Sequence, residues 1–315
     1  MTSLSGFLLD DQYPIFKFGG KMVKPSWPEG MHIGTCSWKY ESWIGLVYSP
    51  EAAKNYLQEY AQSYDTVEID QWFWSLFPQG KVKLPNPTDV HLYASSVSAS
   101  FRFTIKVPNA VTLTHYYSPK APLVRNPHFL SVQVMLDFMQ TLQPLHQQIG
   151  TLMLQFEYLN RAKMASQQAL FQQLEAFITQ CPRDFPIAIE IRNPNYINAS
   201  YFDFLNRHNL HHVFLQGYYM PSIFELYQQY KKYIQSRVII RLHGPDRQGM
   251  EEKSHNVWNR LLESKDDELD QLLSMMADLQ YRNVETYINV NNHYEGSAPL
   301  TIERIRERLV KREND

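Results

Sequence analysis

The segment IAIEIR, residues 187–192, decides how this sequence folds. Side chains alternate in direction along a β-strand, so the three isoleucines share one face. Ala188, Glu190 and Arg192 share the other face. A strand with one apolar and one charged face must separate two different environments, and the same division recurs along the chain.

Eight segments have strand-like patterns, and helix-like patterns lie between them. The strand-like segments are 32–36, 66–70, 101–107, 151–156, 187–192, 212–216, 238–243 and 285–291. The helix-like segments are 51–63, 90–98, 129–148, 167–180, 199–207, 223–233, 257–279 and 299–311. Eight strands that are each followed by a helix predict parallel pairing with right-handed crossovers.

A single-domain α/β fold, the (β/α)₈ TIM-type barrel, is the simplest closure of that order. A doubly wound open sheet is the alternative, but no GxGxxG follows the first strand. Residues 31–315 are predicted to form the barrel. Residues 1–30, which contain three prolines and several glycines without a sustained period, are expected to be an irregular extension.

Composition limits the classes of protein to which the chain can belong. Of its 315 residues, 44% are hydrophobic and 20% are charged, as in an ordinary globular protein. Its net charge of −2 gives no overall attraction to nucleic acid or to an anionic membrane. A nucleic-acid partner is therefore not favoured and would need a local basic patch, whereas the basic side chains Lys106, Arg192 and Arg241 favour a small anionic molecule.

The expected compartment is the cytoplasm. The N-terminus lacks the basic region of a signal peptide, and no apolar run approaches the length of ~18 residues that spans a bilayer. Two cysteines, Cys36 and Cys181, are too few for a disulfide framework. We expect no membrane association.

The polar faces of the strands carry an unusual set of charges. These side chains are Glu68, Asp70, Lys106, Glu190, Arg192, Arg241 and His243. In a parallel barrel the apolar faces meet the helices, so this set is predicted to point inward, near the strand ends where active sites of this fold lie. An antiparallel sheet with a solvated face and a buried ion network that only packs the barrel are the structural alternatives.

The loops that follow the strands are rich in aromatic residues. They include Trp38, Tyr40, Trp43, Trp72, Phe73, Trp74, Phe77, Tyr116, Tyr117, Tyr196, Tyr218, Tyr219 and Tyr294. Such rings could stack on sugar rings or nucleobases, or they could form small cores inside the loops. His115, between the third and fourth strands, is a candidate acid–base group or metal ligand, or it is simply polar surface.

Taken in order, these motifs resemble the YecE-like family of domains of unknown function, family 72. The matching stretches are GTCSWKYESW at 34–43, VEIDQWF at 67–73, FTIKVP at 103–108, TH at 114–115, EIR at 190–192, RLHG at 241–244, NN at 291–292 and GSA at 296–298. The resemblance implies a TIM-type barrel over nearly the whole chain. It implies no established activity.

The resemblance also marks individual positions. The family's recurrent polar and aromatic positions hold Trp38, Glu68, Lys106, His115, Glu190, Arg192, Arg241, His243 and Asn291. Asp70 stands where the family usually has Asn, Trp74 where it has Tyr, and Cys36 where it has Ser. The last departure argues against a cysteine nucleophile common to the family. Residues 193–196, NPNY, replace a His/Ser-Trp pattern, so we expect the fifth loop to select a different ligand.

The first functional hypothesis is a hydrolase or lyase that acts on an anionic molecule. Lys106, Arg192 and Arg241 would hold its phosphate or carboxylate. Trp38, Asp70 and Asn291 complete the expected ligand-binding set. Glu68 or Glu190 would be the general base, and His243 or His115 would supply the acid.

Three alternatives remain at this stage. A metal-dependent, endonuclease-like hydrolase would use Glu68, Asp70, Glu190 and His243 as ligands. A glycosidase would use Glu68 and Glu190. A non-catalytic binding or regulatory protein would use the same pocket. Because three basic side chains would repel a divalent ion, we expect no tightly held metal and no other cofactor.

Overall fold

Eight parallel strands pair in chain order and close into a barrel in the computed structural model of the chain. The structure describes residues 27–50, 55–117 and 122–314. The strands are β1 Met31–Cys36, β2 Thr66–Ile69, β3 Arg102–Lys106, β4 Ile149–Gln155, β5 Ile187–Glu190, β6 His211–Gly217, β7 Arg237–Gly244 and β8 Glu285–Val290. The predicted α/β barrel is confirmed, and its closure by β1 and β8 rules out the open sheet.

Helices connect the strands and form the outer layer. They are α1 Tyr56–Ser63, α2 Pro87–Ser96, α3 Asn109–Thr112, α4 Val132–Thr141, α5 Gln167–Ile178, α6 Ala199–Arg207, α7 Ile223–Tyr230, α8 Arg247–Ser254, α9 Asp266–Tyr281 and α10 Ala298–Asn314. Polar side chains fix several helix starts: Ser131, Ser166 and Asn198 each accept a hydrogen bond from a backbone N–H of the first turn. Within the described residues, no helix is long and apolar enough to cross a membrane.

The two faces of each strand lie in different layers, as the alternation predicts. Val67, Ile69 and Ile189 are fully buried in the large core between the barrel and its helices. A second, smaller cluster lies inside the barrel and consists of Met153, Ala188, Val213, Ile239 and Tyr287. We call this cluster the apolar layer. It separates the charged side chains at the two ends of the barrel interior.

Two predicted helices differ from the structure, and two observed helices, α3 and α8, have no predicted counterpart. The predicted helix 129–148 ends as α4 at Thr141, and residues Gln143–Gln148 form a 3₁₀ helix that begins beside Pro144, which cannot donate a backbone hydrogen bond. The predicted helix 257–279 begins only at Asp266. Of the extension expected at residues 1–30, residues 1–26 lie outside the described part of the chain.

Candidate functional site

The guanidinium of Arg241, on β7, is shared by two carboxylates inside the barrel. Its Nε and Nη2 donate to the two carboxylate oxygens of Glu68 on β2, both at 2.7 Å. Its Nη1 donates to Glu190 on β5 and to Oε1 of Gln155 on β4, the latter at 3.3 Å. Arg241, Glu68 and Glu190 are all 0% exposed. We call these four side chains the Arg241 network.

Two further cations lie beside this network and are closer to solvent. Nζ of Lys106 is 3.5 Å from Oε1 of Glu68, and Nε of Arg192 donates to Oε1 of Glu190 at 2.8 Å. Their side chains are 11% and 22% exposed. Each carboxylate is therefore shared between Arg241 and one outer cation, so three cations meet two carboxylates.

The outer cations and Arg241 keep both carboxylates ionised. Burial alone would raise the pKa of Glu68, but Arg241 and then Lys106 outweigh it and hold that pKa below its ordinary value. Burial opposes ionisation of Glu190 as well, yet Arg241 and Arg192 lower its pKa to about 2. Carboxylates held in this way bind a proton weakly, which makes either of them a poor general base.

Asp70, directly after β2, is in a different state. Among the residues that the structure describes, it has no ion-pair partner within 4.0 Å. Burial and then the charge of Glu68 raise its pKa, although Lys106 opposes the shift. Asp70 is half-buried. Its carboxyl group is therefore the one in this set whose pKa moves toward neutral pH.

His243 contacts the thiol of Cys36 and the phenol hydroxyl of Tyr218 at the edge of the Arg241 network. Its Nε2 lies 3.6 Å from Sγ of Cys36, and its Nδ1 lies 3.3 Å from the hydroxyl of Tyr218. Burial and then the charges of Arg241 and Lys106 lower its pKa well below the ordinary value. The imidazole is therefore neutral at pH 7, which works against the expected role of His243 as a proton-donating imidazolium.

Two glycines allow the backbone to close around His243. Gly217 and Gly244 have φ values of +138° and +78°. A Cβ at Gly244 would lie 2.5 Å from the carbonyl oxygen of His293, and one at Gly217 would lie 2.2 Å from that of Gly244. Side chains at these positions would push the ends of β6 and β7 away from the loop after β8.

Three other predicted site residues lie outside the Arg241 network. Nδ1 of His115 is 2.9 Å from Oγ1 of Thr114, and burial followed by the charge of Lys163 lowers the pKa of this histidine. Trp38 is buried and meets the ring of Tyr93 edge to face. The side-chain oxygen of Asn291 accepts a hydrogen bond from the backbone N–H two residues later. Their expected roles in acid catalysis and ligand binding remain predictions.

The aromatic loop residues divide into two groups. Trp38, Trp43, Tyr196 and Tyr294 are buried and form small cores within the loops. Four others stand in solvent after β2, β3, β4 and β6, with exposed fractions of 65% for Trp74, 73% for Tyr117, 50% for Tyr158 and 59% for Tyr219. The expectation of small cores within the loops is confirmed for the first group, and the expectation that rings stack on a ligand stays a prediction for the second.

Sequence reasoning did not single out three members of this site. Gln155 lies on the inward face of β4, and strand alternation alone places it there. Cys36 pairs in register with Glu68, and its Sγ is 3.7 Å from that carboxylate. Tyr218, named only among the loop aromatics, lies with its ring 5.0 Å from the guanidinium carbon of Arg192.

The donor set does not fit a metal ion. Within the described ranges, no three or more His, Cys, Asp or Glu side chains are grouped as metal ligands. Glu68 and Glu190 already bind Arg241, and a divalent ion there would lie beside a buried guanidinium.

A closed parallel barrel of eight strands with its charged network near the carboxyl ends of the strands defines a TIM-barrel protein. Within that class, the chain belongs to the family described as protein of unknown function DUF72, whose model matches residues 32–315. The family resemblance seen in the sequence motifs is thereby confirmed.

Solved structures agree with this assignment at the level of the fold. A DUF72 family protein from Thermotoga maritima MSB8 is 20% identical, with a TM-score of 0.62, over 89% of this chain and 98% of that chain. A DUF72 family protein from Enterococcus faecalis V583 is 17% identical, with a TM-score of 0.61, over 88% of this chain and 95% of that chain. A search of curated proteins found no match.

Proposed function

We propose that this protein is an enzyme, a hydrolase or lyase, that binds a small anionic molecule at the C-terminal end of its barrel. Lys106 and Arg192 hold the phosphate or carboxylate of that molecule. One observation carries the proposal: Glu68 and Glu190 are each shared between Arg241 and one outer cation, and the two outer cations, Lys106 and Arg192, are the ones nearest to solvent. An anion at the mouth of the barrel completes the pairing of these two cations.

Arg241 has a different role in this proposal from the one that the sequence suggested. Its guanidinium is fully buried, and its hydrogen bonds run to Glu68, Glu190 and Gln155. It therefore orients the two carboxylates, which in turn orient Lys106 and Arg192. Arg241 is a positioning residue rather than one that touches the ligand.

Asp70 is the proposed proton-transfer group, and it favours an enzyme over a simple binding protein. Burial raises the pKa of Asp70, against the opposing charge of Lys106, so this carboxyl group holds a proton more readily than Glu68 or Glu190 and can both accept and release one. Glu68, Glu190 and His243 are less suited, because their pKa values are shifted away from neutrality. Since the related family usually has Asn at this position, the role belongs to this chain.

A cytoplasmic setting is part of the proposal. Cys36 and Cys181 are both free and buried in the structure, which supports a reducing compartment. The metal-dependent nuclease is not favoured, because its expected carboxylate ligands are bound to arginine.

Calorimetric titration with inorganic phosphate tests the anion site. The proteins are the wild type, Lys106→Met, Arg192→Met and a control, Lys311→Met, on the exposed end of α10. Each of the first two substitutions removes a charged hydrogen-bond donor and is expected to weaken binding about ten-fold or more. The control should bind like the wild type. Equal affinity in all four proteins would refute the proposed site.

Titration with sulfate, whose charge does not change between pH 4 and 8, tests Asp70. Ionised Asp70 repels the anion, so sulfate binding to the wild type should tighten as the pH falls through the titration of Asp70. Asp70→Asn should bind tightly throughout this range. If the variant keeps the pH dependence of the wild type, Asp70 does not titrate beside the anion.

Turnover separates an enzyme from a binding protein. Phosphorus-31 NMR of phosphate monoesters that bind should show conversion by the wild type and much slower conversion by Asp70→Asn. Esters that bind and return unchanged from the wild type would favour the non-catalytic alternative.

A further inference from the structure

Trp74 is the most exposed of the six tryptophans, at 65%, whereas Trp43 is completely buried. Aromatic side chains contribute more buried area to a core than any other type. A tryptophan left in solvent at the mouth of a barrel therefore keeps a large apolar surface free for contact. The proposed anion site does not use this surface.

A short series of rings connects Trp74 with the anion site. Nζ of Lys106 lies 5.4 Å from the centre of the Phe73 ring. The rings of Phe73 and Trp74 are 5.3 Å apart and nearly perpendicular, and those of Trp74 and Tyr117 are 6.3 Å apart at 70°. We call Phe73, Trp74 and Tyr117 the aromatic shelf. One ring therefore separates the ammonium group from the exposed indole.

The shelf is held in place at its inner end. The backbone N–H of Phe73 donates to the carbonyl oxygen of Asp70 at 3.0 Å, so the turn after β2 is closed. Phe73 itself is buried. Edge-to-face contacts on both sides orient the indole and leave most of it uncovered. A preformed surface of this kind binds a flat ring with little loss of conformational entropy.

We infer that the aromatic shelf is a second subsite, which binds a planar ring of the same ligand whose anionic group lies on Lys106. The inference rests on the proposed anion site and extends it. The ligand class is an anion joined through a short linker to a planar ring, and nucleoside monophosphates have this chemistry. Stacking on the indole supplies binding energy that a bare anion or a sugar phosphate lacks.

A second exposed pair provides a matched control. Tyr158 and Tyr219 lie on the opposite side of the mouth, after β4 and β6, with ring centres 6.1 Å apart at 90°. Their exposed fractions, 50% and 59%, resemble that of Trp74. Substitution of Tyr158 therefore removes a comparable exposed ring without changing the aromatic shelf.

The test compares adenosine 5′-monophosphate, ribose 5-phosphate and inorganic phosphate, titrated into the wild type, Trp74→Ala and Tyr158→Ala. We expect adenosine 5′-monophosphate to bind the wild type and Tyr158→Ala about ten-fold more tightly than ribose 5-phosphate. In Trp74→Ala this difference should disappear while the affinity for inorganic phosphate is kept. The nucleotide should also quench tryptophan fluorescence in the wild type and not in Trp74→Ala.

The outcomes separate this inference from the proposed function. If phosphate binding depends on Lys106 but adenosine 5′-monophosphate binds no more tightly than ribose 5-phosphate, the proposed anion site is supported and the planar-ring subsite is wrong. If the tighter binding of adenosine 5′-monophosphate relative to ribose 5-phosphate is lost in Tyr158→Ala and kept in Trp74→Ala, the planar ring of the ligand binds on the opposite side of the mouth. That result would also refute the inference. If none of the three compounds binds the wild type, both the inference and the proposed function fail.

Discussion

The two ends of the barrel interior each contain an arginine from β7, but the two arginines have different surroundings. Near the start of the strands, Nε of Arg237 donates to Oε2 of Glu285 at 3.1 Å, and the two side chains are 16% and 34% exposed. Near the other end, Arg241 is completely buried between Glu68 and Glu190. One end has a partly exposed, hydrated pair, and the other has a dry network whose central arginine and two carboxylates are fully buried.

We propose that this difference identifies the end of the barrel that binds a ligand. A partly exposed ion pair costs little desolvation and contributes modest stability. A fully buried network loses much hydration energy, and attraction between its members repays this only when every group is paired. Burying such charges gives no stability that apolar side chains could not provide. We therefore attribute the dry network to a site and the hydrated pair to support of the fold.

The largest expected effect comes from removing the buried arginine. Arg241→Met leaves Glu68 and Glu190 without their shared partner in a dry environment, so the free energy of unfolding should fall by about 3–5 kcal/mol. Arg237→Met, the matched change at the other end, also removes a hydrogen bond to the carbonyl oxygen of Gly150, but it should lower the free energy of unfolding less, by about 1–2 kcal/mol, because Glu285 can be hydrated in its place. Urea denaturation followed by circular dichroism measures both values.

The triple variant Arg241→Met/Glu68→Gln/Glu190→Gln is the control for this experiment. It removes the charges together with their partner and should recover much of the lost stability. Equal losses in Arg241→Met and Arg237→Met would mean that the two ends do not differ in hydration.

A smaller effect is expected in acid. The pKa of Glu190 is about 2 in the folded protein against an ordinary value of 4.5. Ionised Glu190 therefore contributes fully to the free energy of unfolding above pH 4.5, and this stabilisation is lost as the pH falls from 4.5 toward 2. This contribution is about 3 kcal/mol. Glu190→Gln should show a shallower loss of stability over that range in urea denaturation at a series of pH values.

Glu285 provides the comparison at the other end. Its pKa is also lowered, with burial opposing and Arg237 causing the shift, but its side chain is one-third exposed. Glu285→Gln should therefore flatten the acid profile less than Glu190→Gln does. The reverse order would contradict the proposed difference between the ends.

The smallest expected effect is a change in the titration of one histidine. His243 is kept neutral by burial and by Arg241, Lys106 and Arg192, so a bound anion should raise its pKa. His211, at the start of β6, has a pKa lowered to about 4, by burial and then by Arg237. NMR titration of the imidazoles with and without sulfate should shift only His243. An equal shift of His211 would indicate a general effect of salt.

The sequence predicts the barrel well because two simple patterns coincide. Strand alternation places Glu68, Glu190 and Arg241 on one face, and the order of elements requires that face to point inward. The patterns cannot predict which of these side chains bind each other. The strands β2, β5 and β7 are not neighbours in the sheet, and their side chains meet only across the closed barrel. The binding of both carboxylates by Arg241, on which its proposed positioning role rests, follows from that closure.

Other features depend on contacts that local patterns do not record. Helix α8 buries only Met250 and Ser254 and therefore has no apolar period to detect. The exposure of Trp74 and the burial of Trp72 depend on how the loop after β2 folds back, where Leu76 and Val82 form an antiparallel bridge. Composition could show only that aromatic residues are abundant there.

The apolar layer has a consequence for how such barrels diversify. Met153, Ala188, Val213, Ile239 and Tyr287 place uncharged side chains between the two ends, so the groups at one end share no partner with those at the other. Substitutions at distant sites without shared partners have nearly additive effects. The loops around the mouth can therefore change in sequence without loss of the ion pair at the opposite end of the barrel. The same separation makes those loops suitable for exchange between members of the family.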